Sequence, residues 1–369
     1  MSKLFNLLKH ELYKIYYKKN VLISLTVFVV ILILGTIMPV IHGNKAIEAK
    51  NLVKEYYKTG GNVTKLDEIK QEEKDALSNY TNIFRLEENK AYNAENVAGL
   101  QKYVNEMKAK NTTGYEYNSK VMNLNMLKKV NVKAKPYYLG LWGNINVISS
   151  SMSIVVCLLL LLALGLSGVF SEEYSNGMDA LILSSKYGKK TIITAKVLAS
   201  CIYSSSVALI FGITTILSSI LFYGNIDGFD SPIQTLQSYF NSPYHLNLSQ
   251  VYLLKLLMLF IGILACGLLI LMFSSRIRNL LTTFFASFAA ILIPSYLAEK
   301  MGFEQDILGL INAYGYFIYP GELLTKFSTL NIFGTPVLNI FACGIALIIF
   351  SIISIYITKY SFREHQVTN

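Results

Sequence analysis

A chain of 369 residues that is 53% hydrophobic, only 15% charged and +10 in net charge lacks the make-up of a soluble enzyme. Its apolar residues cluster in runs of about 20, long enough to cross roughly 30 Å of hydrocarbon at ~1.5 Å per helical residue. The 33 basic residues flank these runs or sit in a mixed-charge insert, without one basic, aromatic-laced face. Membrane topology and anionic lipid headgroups explain them better than nucleic acid, which is not expected as a partner.

Residues 2–19 read as a basic amphipathic helix. Leu4, Leu8, Leu12 and Ile15 share one face, with Lys3, Asn6, Lys9, His10, Lys14 and Lys18 on the other. Such a helix lies in the interface with its lysines towards headgroups. Glu11 projects to the apolar side. Either it pairs with a basic group of the next segment on the same side of the membrane, or it snorkels at the edge of the face; the second is preferred. The apolar run 21–41 follows. It is long for a signal peptide, and no small-x-small cleavage site follows Pro39-Val40-Ile41-His42, so it is expected to stay as a first span.

Residues 42–146 are polar, with 17 Lys/Arg against 12 Asp/Glu between 43 and 145. Leu52, Val53 and Tyr56, then Val97, Leu100, Val104 and Met107, recur at helical spacing. Breaks are expected at Gly60-Gly61, Asn93 to Asn96 and Asn111 to Gly114. Thr64 with Asp67 offers a box-like helix start. This reads as a small, mostly helical domain, with an extended helical hairpin as one plan for it, whose thin apolar content calls for a second copy, a partner or the bilayer to pack against. Pro136, Tyr137, Tyr138 and Trp142 mark the return to the interface.

Between apolar runs at 147–170 and 190–223 lies a polar interruption, Phe170 to Lys196. Glu172, Glu173, Asp179, Lys186, Lys189 and Lys190 keep it out of hydrocarbon. Met178, Leu181, Ile182 and, more loosely, Leu183 still recur at helical spacing, as in a short amphipathic helix held against a partner. Gly177 loosens its start, and Gly188 can end it in a left-handed conformation. Phe170, Glu173, Gly177, Leu181 to Leu183, Gly188-Lys189 and Lys196 together resemble a pattern of the permease subunits of ABC-2-type ABC exporters. Met178 and Lys186 stand where that family often has Thr and Pro. The resemblance implies that 171–189 holds the coupling helix, which docks in a groove of a cytosolic ATPase. It also implies a second permease subunit, the same or different, packed through spans two and five. Glu11-Leu12-Tyr13-Lys14 resembles the Glu-Leu-x-Lys start of the family's interfacial helix.

Further spans are expected at 251–273, 280–298 and 336–358. Residues 299–335 are too apolar for a free loop and too broken for a span, so a re-entrant or interfacial pair of short helices fits. The family resemblance places an outer gate here, at Tyr316, Phe317, Pro320, Gly321 and Glu322. Small pairs at Ala163/Ser167 and Gly262/Cys266 permit close helix approach, either between subunits or inside one. Basic residues near span ends concentrate at 3–19, 186–196, Arg276/Arg278 and Lys359/Arg363. That side is expected to be cytosolic, with both termini inside and the domain at 42–146 outside, in a bacterial plasma membrane.

No chemistry of its own is legible. Gly188-Lys189-Lys190-Thr191 echoes only the end of a P-loop, with Leu183 five positions before Gly188. The four histidines are scattered, and the four cysteines (Cys157, Cys201, Cys266, Cys343) all lie in apolar runs, outside any CxxC pattern. Nor do the span centres carry an ion relay; Lys255 sits near a span end. The expectation is an all-α integral membrane protein of six spans in type-2 ABC exporter architecture, with a mostly helical extracellular domain between spans one and two. It would move a hydrophobic or amphipathic substrate, the ATP and Mg being bound by a separate ATPase. Two alternatives remain: an ABC-driven mechanotransmitter or sensor, and a secondary carrier or channel.

Overall fold

The computed structural model describes residues 2–41, 44–60, 69, 71–78, 80–84, 86–130, 135–184, 188–224, 227–301 and 307–364. Helix α1 (Ser2–Tyr16) precedes α2 (Lys19–Ile41), whose richness in valine, leucine and isoleucine makes it the first of six helices among the described residues long and apolar enough to span a membrane. The others lie at Met152–Ser175, Lys190–Tyr223, Leu248–Ser274, Leu280–Ala298 and Asn339–Glu364. An all-α membrane architecture of six spans follows.

The insert after α2 folds as α3 (Asn44–Lys58), α4 (Gln71–Leu77), α5 (Leu86–Ala109) and α6 (Tyr115–Leu127). α5 and α6 form a helical hairpin whose turn uses two left-handed residues, Asn111 and Gly114. That break lies where the sequence puts it. Asn93 to Asn96 do not interrupt α5. Asn93 donates to the carbonyl of Val130, and Asn89 is buried and donates to that of Gln234, so tertiary partners hold these asparagines in a helix. The Thr64/Asp67 start lies outside the described residues.

Span two is broken. α7 (Gly140–Ser149) ends at three consecutive serines, and α8 (Met152–Leu166) restarts beyond Ser150 and Ser151. Serine hydroxyls offer the backbone local alternatives to the helical ladder; Ser149 Oγ donates to the carbonyl of Asn146. α9 (Gly168–Ser175) continues α8 almost in line. α10 (Met178–Ser184) is separate, and a π-helical turn at Gly188–Ile192 opens α11 (Ile193–Tyr223). α12 (Leu248–Ser274) packs on α8, α11, α13 (Leu280–Met301) and α16 (Asn339–Glu364).

Between α13 and α16 stand α14 (Ala313–Ile318), α15 (Gly321–Thr325) and an antiparallel hairpin, β1 (Thr329–Ile332) with β2 (Thr335–Leu338). The sequence reading extends short helices to 335 and starts the last span at 336; it misses the hairpin. The signal was present. Thr-Leu-Asn-Ile and Thr-Pro-Val-Leu flank Phe333-Gly334, and both turn residues have positive φ (49° and 85°), as a two-residue primed turn needs. A backbone N–H of Gly334 donates to Asn331 Oδ1, which fixes that turn.

The small pairs pack inside the chain. Ala163 and Ser167 are buried, with Ser274 donating to the Ser167 carbonyl at 2.7 Å. A Cβ on Gly262 would lie 2.9 Å from the backbone of Phe317, so this glycine lets α14 lie directly on α12.

Candidate functional site

Four charged side chains from three elements meet at the α1 end of the bundle. Ile15 is buried and Leu8 and Leu12 pack half-buried on the core, which turns the Glu11 side of α1 inward. Glu11 is 6% exposed. Its Oε2 accepts from Lys196 Nζ at 3.0 Å, and its Oε1 from Lys14 Nζ at 3.3 Å. Snorkelling, the preferred sequence reading, is therefore corrected. The carboxylate turns inward because α11 offers it a buried cation that solvent cannot reach.

Lys196 is fully enclosed, at 0% exposure. Its ammonium donates to Glu11, to Glu173 Oε1 at 2.8 Å and to the carbonyl of Val169 at 2.7 Å, and it stands 5.1 Å from the ring centre of Phe170. Glu173 Oε1 also accepts from Lys14 at 3.0 Å. Two carboxylates and two ammonium groups thus balance in formal charge, which a buried ion cluster requires. Burial would lower the Lys14 pKa, but the charges of Glu11 and Glu173 outweigh it and hold the group above its ordinary value. At the rim, Lys18 pairs with Glu172 across Gly168, where any Cβ would meet both partners. A cavity of about 250 Å³ lies beside the cluster, lined by Glu11, Lys14, Lys18, Glu172 and Met178 among others.

The family resemblance implies one coupling helix within 171–189; two helices, α9 and α10, share that stretch. Glu172 and Glu173 belong to α9, the extension of span two, and Gly177 at φ +66° breaks the chain before α10. A left-handed residue with no Cβ is what that break needs. On α10, Asp179 is buried and Ile182 packs half-buried against the core, while Met178 and Leu181 are exposed, Leu181 to 69%. Of Leu183 only the backbone, within α10, is described, and residues 185–187 lie outside the described residues. Gly188 and Lys189 start the π-helical turn that leads into α11, so Gly188 serves the next span instead of ending α10.

At the opposite end of the spans, Tyr316, Phe317 and Pro320 are buried. Phe317 sits between α12 and α16, its backbone on Gly262 and its ring on Gly344. Gly321 abuts the break in span two: a Cβ there would come within 2.8 Å of Ser150 Oγ. The Glu322 side chain lies outside the described residues. A cavity of about 450 Å³ opens between α8, α13 and α14, with walls that include Leu159, Leu292, Tyr296, Tyr316 and the buried Asn312. The seven residues Glu11, Leu12, Glu172, Glu173, Gly177, Leu181 and Ile182 therefore gather at one end, and Tyr316 to Gly321 at the other.

Sequence reasoning treats Lys196 only as part of a motif and Lys14 only as part of a basic face. The recoverable signal is a lysine set among Ala195, Val197 and Leu198 at the mouth of a span, a placement that demands a carboxylate nearby. Lys255 is passed over as a span-end residue, yet it too is buried.

Neither the curated proteins nor the solved structures give a match to this chain. A family model described as ABC-2 family transporter protein matches residues 5–298, from α1 through the fifth span. That match covers well over half of the chain, and six apolar helices accompany it. The chain belongs to the ABC-2 family of transporter proteins and is a multi-pass membrane permease subunit of an ABC transporter.

Proposed function

We propose that this chain is the passive gate of an exporter, moved by a separate cytosolic ATPase that holds the ATP and Mg, and that its cargo is hydrophobic or amphipathic. In this reading the α1 end faces the cytosol, both termini lie inside, and the insert projects outward from a bacterial plasma membrane. A second permease subunit, identical or related, completes the pathway.

The single observation that carries the reading is the cluster of buried Glu11, Glu173 and Lys196, joined at its solvent edge by Lys14, beside α10. It joins α1, the end of span two and the start of span three by charge-assisted bonds that span no more than 3.3 Å. A push on α10 thereby reaches two spans and the interfacial helix together. α10 offers a place for that push, since Leu181 is 69% exposed and Met178 half-exposed, which leaves apolar area open to a partner. Support for the cargo class comes from the cavity of about 450 Å³, which lies in the range of small-molecule sites and is walled mainly by aliphatic and tyrosine side chains.

Leu181→Asp tests the coupling role. The residue is 69% exposed, so the fold should be unaffected, with stability within ~0.5 kcal/mol of the parent. Full-length chain purified from its host should bring down an ATP-hydrolysing partner in stoichiometric amount, and Leu181→Asp should lose it. Equal recovery of ATPase activity with the variant would remove α10 from the coupling path.

One observation favours a mechanotransmitter as the second reading. The insert is bonded to the hairpin that leads into span six: Tyr115 donates to the Thr329 carbonyl at 2.8 Å, and Ser119 shares a 3.0 Å bond with its hydroxyl. Such a link could carry motion outward to a partner. Export of an amphipathic peptide by vesicles holding chain and ATPase would decide for the first reading.

A further inference from the structure

Lys255 lies seven residues into α12 and is only 3% exposed. Its ammonium donates to Asn146 Oδ1 at 2.8 Å, Ser150 Oγ at 2.9 Å and Ser149 Oγ at 3.1 Å, all at the end of α7 where span two breaks. The ring centre of Tyr239 stands 5.3 Å away. Every one of these partners is neutral. Among the described residues no carboxylate pairs with Lys255. The last carbonyls of α7 offset part of the charge, but a buried cation without a counter-charge is costly and is retained in membrane spans where it serves a function.

A second observation lies next to it. Asn146 lines the small void that reaches Lys255, of about 20 Å³, and also a cavity of about 330 Å³ on its other side. Among the described residues that larger cavity carries no charged side chain on its wall; Tyr80, Tyr223, Gln237 and Ser238 contribute to it. Asn144, 5% exposed, lines it too, and its Oδ1 has no hydrogen-bond donor. Its amide nitrogen is already committed to Ser219 at 3.1 Å. The arrangement is a polar chamber with a cation behind the Asn146 amide, whose nitrogen donates to Ser238 Oγ at 3.1 Å, and an unfilled acceptor on the wall.

We propose that this chamber binds an oxyanionic headgroup, a carboxylate or phosphate that carries a hydrogen-bond donor. One anionic oxygen replaces Asn146 Oδ1 on the Lys255 ammonium, and the donor fills Asn144 Oδ1. The Tyr239 hydroxyl, which donates to Asn146 Oδ1 at 3.0 Å, keeps the displaced amide partnered. This goes beyond the permease assignment, since it holds whether the headgroup belongs to a transported molecule or to a bilayer lipid.

The chain reports on the site by itself. Trp142 is its one tryptophan and lines the same small void as Lys255. Full-length protein in phosphatidylcholine nanodiscs would be titrated with 2-hydroxydodecanoate, dodecyl phosphate, inorganic phosphate, dodecyl maltoside and dodecyltrimethylammonium. We expect a saturable change in Trp142 emission with the anionic amphiphiles, at concentrations at least tenfold below those needed for the neutral and cationic ones. Lys255→Met should weaken that response at least tenfold and Lys255→Arg should keep it. Asn144→Ala, which leaves the cation in place, should weaken it several-fold and serves if Lys255→Met does not fold. A response to inorganic phosphate alone identifies a free anion as the ligand. A response confined to the amphiphiles, reproduced by phosphatidylglycerol nanodiscs, identifies a lipid headgroup. Equal responses to anionic and neutral amphiphiles, no saturable response to any anion, or an unaltered response in both variants would overturn the proposal.

Discussion

Among the described residues two lysines are buried in this bundle, and they are solved in opposite ways. Lys196, near the α1 end, gives two of its hydrogen bonds to the carboxylates of Glu11 and Glu173. Lys255, towards the insert end, gives all three to neutral oxygens. Both satisfy their N–H donors; only one satisfies its charge. In a medium of low dielectric the difference decides what each residue is for. A balanced cluster holds its elements together without any ligand, and suits the part of a transporter that must move as one piece. An unbalanced cation keeps an affinity in reserve.

The largest expected effect breaks the balanced side. Lys196→Met leaves two carboxylates with Lys14 alone and strips Glu11 Oε2 of its partner. Removing one member of a buried ion pair typically costs about 3–5 kcal/mol. Thermal unfolding in detergent should show a large drop in midpoint, or no folded protein recovered. Glu11→Gln is milder, since the amide keeps the shape and one acceptor but not the charge; a loss of about 1–3 kcal/mol is expected. A Glu11→Gln variant as stable as the parent would return Glu11 to the edge of its helix face and detach α1 from the cluster.

That second variant also marks the limit of what the sequence discloses. The six spans are legible because each is a long apolar run with charged ends, a property of composition that folding cannot rearrange. The α5–α6 hairpin is legible through Asn111 to Gly114. The cluster was only half legible: Glu173 and Lys196 stand 23 residues apart around a break, and helical projection places Glu11 on an apolar face without saying what covers it. Lys255 escapes the sequence because distance from a span end does not report burial, and the end of α7 brings serines over it from more than a hundred residues away. The hairpin at 329–338 was hidden by its short strands, beside an apolar run that invited a longer last span.

Lys255→Met should have the smallest effect on stability, and it sharpens the comparison most. Methionine fills nearly the same volume, and the oxygens it abandons have other uses. Asn146 Oδ1 keeps the Tyr239 hydroxyl, Ser149 keeps its bond to the Asn146 carbonyl, and the Ser150 hydroxyl can turn to a new acceptor. Replacing an uncompensated buried charge by an apolar side chain of similar size is often neutral or stabilising, so a change within about 1 kcal/mol of the parent is expected in the same unfolding measurement. A loss as large as that of Lys196→Met would show that Lys255 is needed to hold the broken end of span two in place. Its charge would then be explained by the fold alone, and the two lysines would differ in partners but not in purpose.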